Sequence, residues 1–424
     1  MGGGGREHAL AWKIAQSDLV TKLYALPGNA GMAKIAERVP GDVMDVPSIC
    51  GFAERESIDL TVVGPESPLI AGLADELRRR GLTVFGPGRE AAQMEGSKVF
   101  AKRLMLDAGI PTAMCEVFGD PAQAADYVRT VAARSGNPIV VKADGEAAGK
   151  GVFVCPTVDG ALGALEVIMN QRAFGASGDM VVIEDYLDGP EASLMFFVEG
   201  DSFVPMVPAQ DYKRALDEDQ GPNTGGMGCY APVPVVTDDV CSFVKDKIVK
   251  PALAALAKKG IRYQGVLYVG LALTSDGPKV VEFNARFGDP ETQVVAPLLR
   301  TDIVEVMLAV AHGRLDTAAV NWYNKKAVCV VMASGGYPGS YAKGLPIAGI
   351  ERAEAAGAIV FHAGTEARDG RLVTSGGRVL GVTAVGDSYS ECIDLAYAAV
   401  ELISFEGAHY RRDIARRLVQ AGVA

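Results

Sequence analysis

Residues 280–293 read VVEFNARFGDPETQ. In an extended chain successive side chains fall on opposite faces, so Val280, Glu282 and Asn284 are expected on one face and Val281, Phe283 and Ala285 on the other. One face is apolar enough to pack. The other presents a carboxylate and an amide oxygen side by side, hard ligands of the kind Mg²⁺ takes. Arg286 stands where the strand should end, and Asp289, Pro290 and Glu291 follow in an acidic turn. A metal pair beside a fixed cation suits a polyphosphate. Taken alone, the same pattern also describes an edge strand with one polar face.

The rest of the chain narrows the choice. Its 424 residues imply about three domains. Hydrophobic content of 49% with 22% charged residues is that of a globular protein with ample core. A net charge of −11 and a pI near 5.0 argue against a nucleic-acid groove. No stretch approaches the roughly 18 uninterrupted apolar residues of a membrane span. The opening MGGGGREHALAW has no apolar core of a signal peptide, and Arg6 stands where a myristoylation signal needs Ser or Thr. Seven scattered cysteines without C-x-x-C fit free thiols in a reducing cytoplasm, and four histidines without metal spacing argue against zinc.

The first ninety-odd residues alternate helices (about 8–16 and 69–80) with short apolar strands (22–25, 59–63, 83–85), the pattern of a parallel α/β sheet. Each strand runs into a Gly-containing loop: PGNAG at 27–31, GPESP at 64–68, GPG at 86–88. Ligands bind at such strand ends in open α/β sheets. Ser97 is a fitting N-cap for a helix to Asp107, and Asp120-Pro121 for one ending near Gly136. Then follow a strand (138–143), a Gly-rich turn, a strand (152–155), a helix (159–170) and a strand (180–184). Strand–Gly-loop–strand is the topology of a flap. From Ala327 short β-rich segments precede one helix at about 390–403, a small α+β domain. The expected divisions are 1–97, 98–318 with 119–186 as a flap-bearing subdomain, and 325–424.

The turn KADGEAAGKGV (142–152) leaves the backbone N–H groups of Gly145, Gly149 and Gly151 free to approach phosphate oxygens, with Lys142 and Lys150 supplying charge. It lacks the spacing and the Ser/Thr of a Walker A loop; a flexible hairpin with surface lysines is the alternative. Lys98 and Lys102 share one helix face. IEDYLDGPEAS (183–193) runs off a strand into a turn where main-chain groups suit an adenine edge and Glu191 suits ribose hydroxyls. The polar, glycine-dense loop AQDYKR…GPNTGGMG (209–228) has the length of a functional loop and suits closure over a small ligand. Glycines before the first helix suit an anion, though a glycine run also serves as a linker.

In order along nearly the whole chain, GGREHALAWK, PGNAG, VVGPESPL, FGP, EGSKVFAK, VVKADGEAAGKGV, IEDYLDGPEAS, AQDYKR, GPNTGGMG, VEFNARFGDPETQ and VMASGGYPG resemble the ATP-grasp superfamily, and within it the phosphoribosylamine–glycine ligase (glycinamide ribonucleotide synthetase) family. The resemblance implies an N-terminal parallel α/β (pre-ATP-grasp) domain, an ATP-grasp domain whose lid is the flap subdomain, and a small β-rich C-terminal domain. It implies an ADP-forming carbon–nitrogen ligase of purine synthesis that takes ATP, glycine and 5-phosphoribosylamine with Mg²⁺ or Mn²⁺. No nucleic-acid or membrane partner is expected, and the chain is expected to be a monomer or weak homodimer. Glu282 and Asn284 then look like the metal ligands. Lys102, Lys142, Lys150 and the flap glycines Gly145, Gly149 and Gly151 look like the phosphate clamp, and Glu184, Leu187 and Glu191 like the nucleoside contacts. Gly5, Arg6, Glu7, Asn29 and Glu66 look like phosphoribosylamine contacts, with Asn223, Thr224 and Gly225 also on substrate. Asp211, Lys213, Arg286 and Asp289 are expected around the reacting groups.

The chain departs from the family pattern in places. Gly3 stands where Asn is common, Glu146 where an apolar residue sits in the flap turn, and Tyr212 where His is frequent. The strand GVLYVGLAL (265–273) carries none of the carboxylates many relatives have there. The family's apolar strand before the first glycines is absent. A reading frame that starts about six to eight residues upstream is therefore expected, since the loss would leave backbone unpaired and a slot in the core. Two rivals share parts of the pattern: another ATP-grasp ligase, and a nucleotide-binding protein without catalysis, which glycine-dependent ADP release distinguishes. An NAD-dependent oxidoreductase fails for want of a strand, G-x-G-x-x-G and trailing acid.

Overall fold

The computed structural model describes residues 1–135, 137–145 and 151–422, with 132–135 and 317 as backbone only. Its centre is a four-stranded antiparallel sheet ordered Ser202–Pro205, Glu191–Glu199, Gln264–Thr274, Gly277–Asn284. The run Leu194–Val198 is continuously apolar because both faces are covered. Leu194, Phe196 and Val198 join one core with Leu267, Val269 and Leu271. Met195 and Phe197 join the other with Val266 and Tyr268.

The last strand departs from strict alternation. Gly270 pairs with Glu282 but Leu271 pairs with Val280, so Val281 is an extra residue. A bulge of this kind reverses the parity of the strand. Val280 is therefore buried beside Phe283 in one core, not on the face of Glu282 and Asn284 as alternation alone implies. Thr112 and Pro111 brace the bulge: Val280 N–H donates to Pro111 O at 2.8 Å and Thr112 Oγ1 donates to Val280 O at 2.7 Å.

The flap unit is a second antiparallel sheet ordered Cys115–Phe118, Val181–Asp185, Ile139–Ala143, Val152–Cys155. Helices Pro121–Ser135 and Val158–Leu165 cover it, the second widening over Glu166–Asn170. Asp120 and Thr157 cap these helices, accepting from Gln123 N–H and Gly160 N–H. Ser97 caps Lys98–Asp107 through Phe100 N–H, as its side chain suggested.

In the N-terminal region Thr61–Val62 pairs in parallel with Val84–Phe85, and Tyr24–Ala25 with Glu37–Arg38. The helix expected over 69–80 is two, Glu66–Ala71 and Leu73–Arg79, broken at Gly72 with φ +93°. Helices Val46–Arg55 and Arg89–Gly96 were not anticipated. The two strand pairs are joined by Met1 and Gly2. Gly2 N–H donates to Leu26 O at 2.7 Å, and Met1 Nα donates to Val62 O at 3.0 Å. Beside these rungs lies a cavity of about 390 Å³ lined by Leu10, Ile14, Ala25, Ala53, Val62 and Val304, among others.

The C-terminal sheet is ordered Gln210–Asp211, Gly228–Ala231, Lys326–Ala333, Arg378–Gly386, Ile359–His362. Two of its strands thus come from the polar 209–228 loop and its end. That loop is a structured hairpin, Arg214–Leu216 pairing with Gln220–Asn223. Helix Tyr389–Leu402 seals the sheet. Tyr212 belongs to this core: its hydroxyl accepts from Ala415 N–H at 2.9 Å, and Arg411 and Arg417 stack on its ring. All seven cysteines are unpaired. Among the described residues no helix is long and apolar enough to cross a membrane.

The N-terminal and central regions meet backbone to backbone at Gly265, whose φ is +141°. A Cβ there would stand 2.8 Å from Pro87 Cδ and 3.1 Å from Pro87 N. Gly265→Ala is expected to cost about 2 kcal/mol or more, read as a lower denaturant midpoint at unchanged slope. An unchanged midpoint would mean that this contact does not fix the seam.

Candidate active site

The ends of these elements enclose a cavity of about 390 Å³. Helix Lys98–Asp107 contributes Lys98 and Lys102, and the flap contributes Lys142, Gly145 and Gly151. The bulged strand contributes Val281, Glu282 and Asn284, with Arg286 and Asp289 beyond its end. Arg6 and Glu66 enter from the N-terminal region, and Gly225 and Arg378 from the opposite side. Met94, Ala101, Met105 and Phe283 add an apolar wall.

Lys102 and Lys142 are buried, and both Nζ atoms pair with the one carboxylate of Glu184, which is buried as well. Burial pushes the Glu184 carboxyl up, but Lys142 and Lys102 outweigh it and hold it below its usual range. Lys102 Nζ also donates to Thr112 Oγ1 at 2.7 Å and Lys142 Nζ to Val281 O at 3.3 Å, so both lysines are fixed to the bulge. The Glu184 side chain faces the lysines and is not free for a nucleoside. Leu187 is half-buried, and Glu191 is exposed with Oε2 2.9 Å from Lys213 Nζ. The root of the flap is latched to the same helix. Lys98 Nζ donates to Gly145 O at 2.9 Å, and Asp144 Oδ1 accepts from Ser97 Oγ and Val99 N–H, each at 3.1 Å. Glu146, Gly149 and Lys150 lie outside the described residues.

The side chains of Glu282 and Asn284 line the cavity, and among the described residues neither takes part in a hydrogen bond or ion pair. Burial pushes the Glu282 carboxyl up, but the charges of Lys213, Lys142, Lys98 and Arg286 hold it below its usual range. An ionised carboxylate beside an unengaged amide oxygen is a donor set that fits a hard divalent cation. No group of three or more His, Cys, Asp and Glu side chains is assembled for a metal among the described residues. Asp211 and Lys213 are absent from the cavity wall but within electrostatic reach of Glu282. Burial lifts the Asp211 carboxyl to about 7, with Glu291, Glu191 and Glu282 adding to it against Lys213.

Arg286 joins two carboxylates of the N-terminal region. Its Nη2 lies 2.7 Å from Glu95 Oε1 and its Nε 3.2 Å from Glu66 Oε2. Glu95 Oε2 accepts from Ala285 N–H at 2.8 Å, which fixes the end of the bulged strand. Burial lifts the Glu95 carboxyl to about 7, against the pull of Arg286. In Glu66 burial is outweighed by Arg286 and Arg6, which bring its carboxyl down to about 2. Asp289 Oδ2 lies 3.1 Å from Arg378 Nη2, and its Oδ1 accepts from Gln293 Nε2 at 2.8 Å.

Several residues expected on substrate serve the frame. Asn29 is saturated: Nδ2 donates to Gly3 O and His362 O, and Oδ1 accepts from Gly31 and Met32 N–H. Glu7 is engaged by Arg6 Nε at 2.6 Å and by Gly4 N–H at 2.7 Å. Gly5 is packed so closely that a Cβ would stand 2.7 Å from Gln293 Nε2. Asn223 is exposed in the hairpin, and Thr224 Oγ1 closes its own turn by donating to Lys213 O at 2.8 Å. Gly225 alone of that trio reaches the cavity. The residues not anticipated are Glu95, Lys98 as a flap latch, and Arg378. Glu95 stood inside the EGSKVFAK segment; Arg378 carried no signal in the chain.

Three family models cover most of the chain: the N domain of phosphoribosylglycinamide synthetase matches residues 1–95, its ATP-grasp (A) domain 96–292 and its C domain 327–417. A phosphoribosylamine–glycine ligase of Caldanaerobacter subterraneus subsp. tengcongensis is 49% identical, the match covering 98% of each chain. One from Vibrio cholerae is 47% identical over 99% of this chain and 97% of its own. The crystal structure of phosphoribosylamine–glycine ligase from Thermotoga maritima superposes with a TM-score of 0.82 at 36% identity, covering 97% of this chain and 98% of that one. The biotin carboxylase domain of Hydrogenobacter thermophilus 2-oxoglutarate carboxylase, solved with MgADP, shares the fold at 16% identity and a TM-score of 0.73, over 96% and 90% of the two chains. With nearly its whole length matched in this way, the chain belongs to the phosphoribosylglycinamide synthetase family, built on the ATP-grasp fold.

Proposed function

We propose that this chain ligates glycine to 5-phosphoribosylamine in the cytoplasm, consuming ATP and giving glycinamide ribonucleotide, ADP and phosphate in purine synthesis. The observation that carries the reading is one cavity in which Lys102, Lys142, Glu282, Asn284, Arg286 and Arg378 converge. Such a site suits a reaction whose charge lies on phosphoryl oxygens.

In this reading the ATP phosphates lie against Lys98, Lys102, Lys142 and the backbone of Gly145 and Gly151. The base lies on the apolar wall near Leu187, and Glu191 faces the ribose. Glu282 and Asn284 hold Mg²⁺ or Mn²⁺, whose chemistry here is to offset the charge of the transferring phosphate. A glycine carboxylate oxygen forms a bond to the γ-phosphorus as the bond to ADP breaks, giving glycyl phosphate. The sugar amine then attacks the acyl carbon, its proton is lost, and phosphate leaves with the C–O electron pair. Arg286 and Arg378 hold the anionic groups on either side of that carbon, and Arg6 and Glu66 face the phosphoribosylamine. Asp211, Lys213 and Asp289 complete the charge around them. The latch from Lys98 to Gly145 keeps the flap against the helix while the acyl phosphate exists, which limits its loss to water.

The first expected outcome is ADP release that requires glycine, phosphoribosylamine and a divalent cation together. Substrate omission followed by nucleotide chromatography checks it; AMP as product, or turnover without glycine, would sink the assignment. Glu282→Gln is expected to keep the fold and lower kcat by at least about 100-fold, whereas near-normal turnover at saturating Mg²⁺ would make the strand merely structural.

A third outcome concerns pH. Glu95 titrates near 7 in the folded chain because burial disfavours its charge. Both folded and unfolded chains keep its proton below the ordinary carboxyl value; between there and about 7 the unfolded chain releases it while the folded chain holds it. Its contribution to stability is thus greatest in acid and is lost as pH rises toward 7. The stability of wild type relative to Glu95→Gln should fall between pH 5 and 8 in urea titrations, and a flat difference contradicts the raised value.

A further inference from the structure

A second cleft, of about 840 Å³, opens where helices Leu73–Arg79 and Arg89–Gly96 face the loop before strand Gln264–Thr274. It shares no lining residue with the active-site cavity. Arg78, Arg79, Arg80, Arg89 and Arg262 all line it, facing only Asp75, Glu76 and Glu90 among acidic residues, in a chain of net charge −11. Arg79 and Arg80 both pair with Glu76, and Arg262 pairs with Glu199. Arg78 and Arg89 differ. Their guanidiniums donate to the carbonyl oxygens of Gly86 and Ala71, and among the described residues neither has a carboxylate within ion-pair distance. Asp75, the nearest candidate, has one oxygen engaged by Arg89 N–H at 2.6 Å. A carbonyl orients a guanidinium but leaves its charge uncompensated. Burial lowers the Arg78 guanidinium from its ordinary value and Arg262 adds repulsion, against the pull of Asp75.

We propose that this cleft is a binding site, separate from the active site, for a phosphorylated small molecule carrying at least two negative charges. Guanidinium forks match phosphate oxygens two at a time, and the volume falls within the range of small-molecule sites. A polyanion there would neutralise Arg78 and Arg89 and relieve the repulsion between Arg78 and Arg262. It would also bridge two regions of the chain. Helix Arg89–Gly96 carries Arg89 into this cleft at one end and Glu95, the partner of Arg286, into the active site at the other.

The test is calorimetric titration of the full chain, its ATP site saturated with MgADP, with two separate probes: AMP and inorganic pyrophosphate. One equivalent of at least one probe is expected to bind. Its affinity should fall at least about tenfold in Arg79→Gln/Arg262→Gln, whose side chains are 69% and 63% exposed; since Arg262 pairs with the buried Glu199, the folding of this variant is checked by circular dichroism as well. Arg78→Gln should weaken binding further, with folding checked by circular dichroism. Turnover of the double variant without probe should match wild type. Tighter binding of AMP assigns a nucleotide to the cleft, and tighter binding of pyrophosphate assigns an inorganic polyphosphate. No binding of either probe, or binding unchanged in the double variant, overturns the proposal.

Discussion

Arg286 is the interaction on which the geometry of the site depends. A buried guanidinium costs several kcal/mol unless its charge and donors are met. Here Glu66 and Glu95 meet them from the N-terminal half, and Phe287 O takes a further N–H. Glu95 simultaneously accepts from Ala285 N–H, so one carboxylate fixes both the cation and the backbone just before it. Glu282 and Asn284 lie upstream on the same strand and inherit that position. Asp289, just beyond, is tied to Arg378, so the C-terminal sheet is referenced to the same point. Removing Arg286 would leave Glu66 and Glu95 without the cation they share, which is why its loss would disturb position as well as charge.

The bulge at Val281 settles which side chains that position delivers. Without the extra residue, Val280 and Glu282 would share a face, and burying one would bury the other. With it, Val280 fills the core while Glu282 reaches the cavity, and the freed Val281 carbonyl becomes an anchor for Lys142. A polar functional face and a fully packed strand are thus obtained from one segment.

Much of this was legible in the chain. The apolar runs, the Ser97 and Asp120 caps and the flap's strand–turn–strand pattern report local physics, and they correspond to elements in the structure. Glu282, Asn284, Lys102, Lys142, Arg6, Glu66 and Gly225 all reach the cavity. What could not be read is what depends on contacts distant in sequence. Arg378 meets Asp289 only because a sheet built from 210–231 and 326–386 folds back over the turn. The parity change at Val281 depends on the register of the neighbouring strand, and periodicity within one segment is blind to it. The family resemblance puts Asn29 on substrate and marks Tyr212 only as a departure from a frequent His. Here the amide is consumed by closing a turn onto His362, and the phenol is buried under two arginines.

The same reasoning explains why a carboxylate from the flap sheet is spent on two lysines instead of on a ligand. The Lys102 and Lys142 side chains meet at one point, and burial lowers the Lys102 ammonium from its ordinary value. Glu184 works against this by pairing with Lys102 and Lys142 at once, and Thr112 and the Val281 carbonyl fix the direction of the two amines. Both amines are thus positioned at the cavity wall by groups of the protein itself. Glu184 sits on the flap sheet and Lys102 on the helix to which the flap is latched. The ion pairs of Glu184 therefore also tie the flap sheet to that helix and, through Lys142 and the Val281 carbonyl, to the strand that carries Glu282 and Asn284.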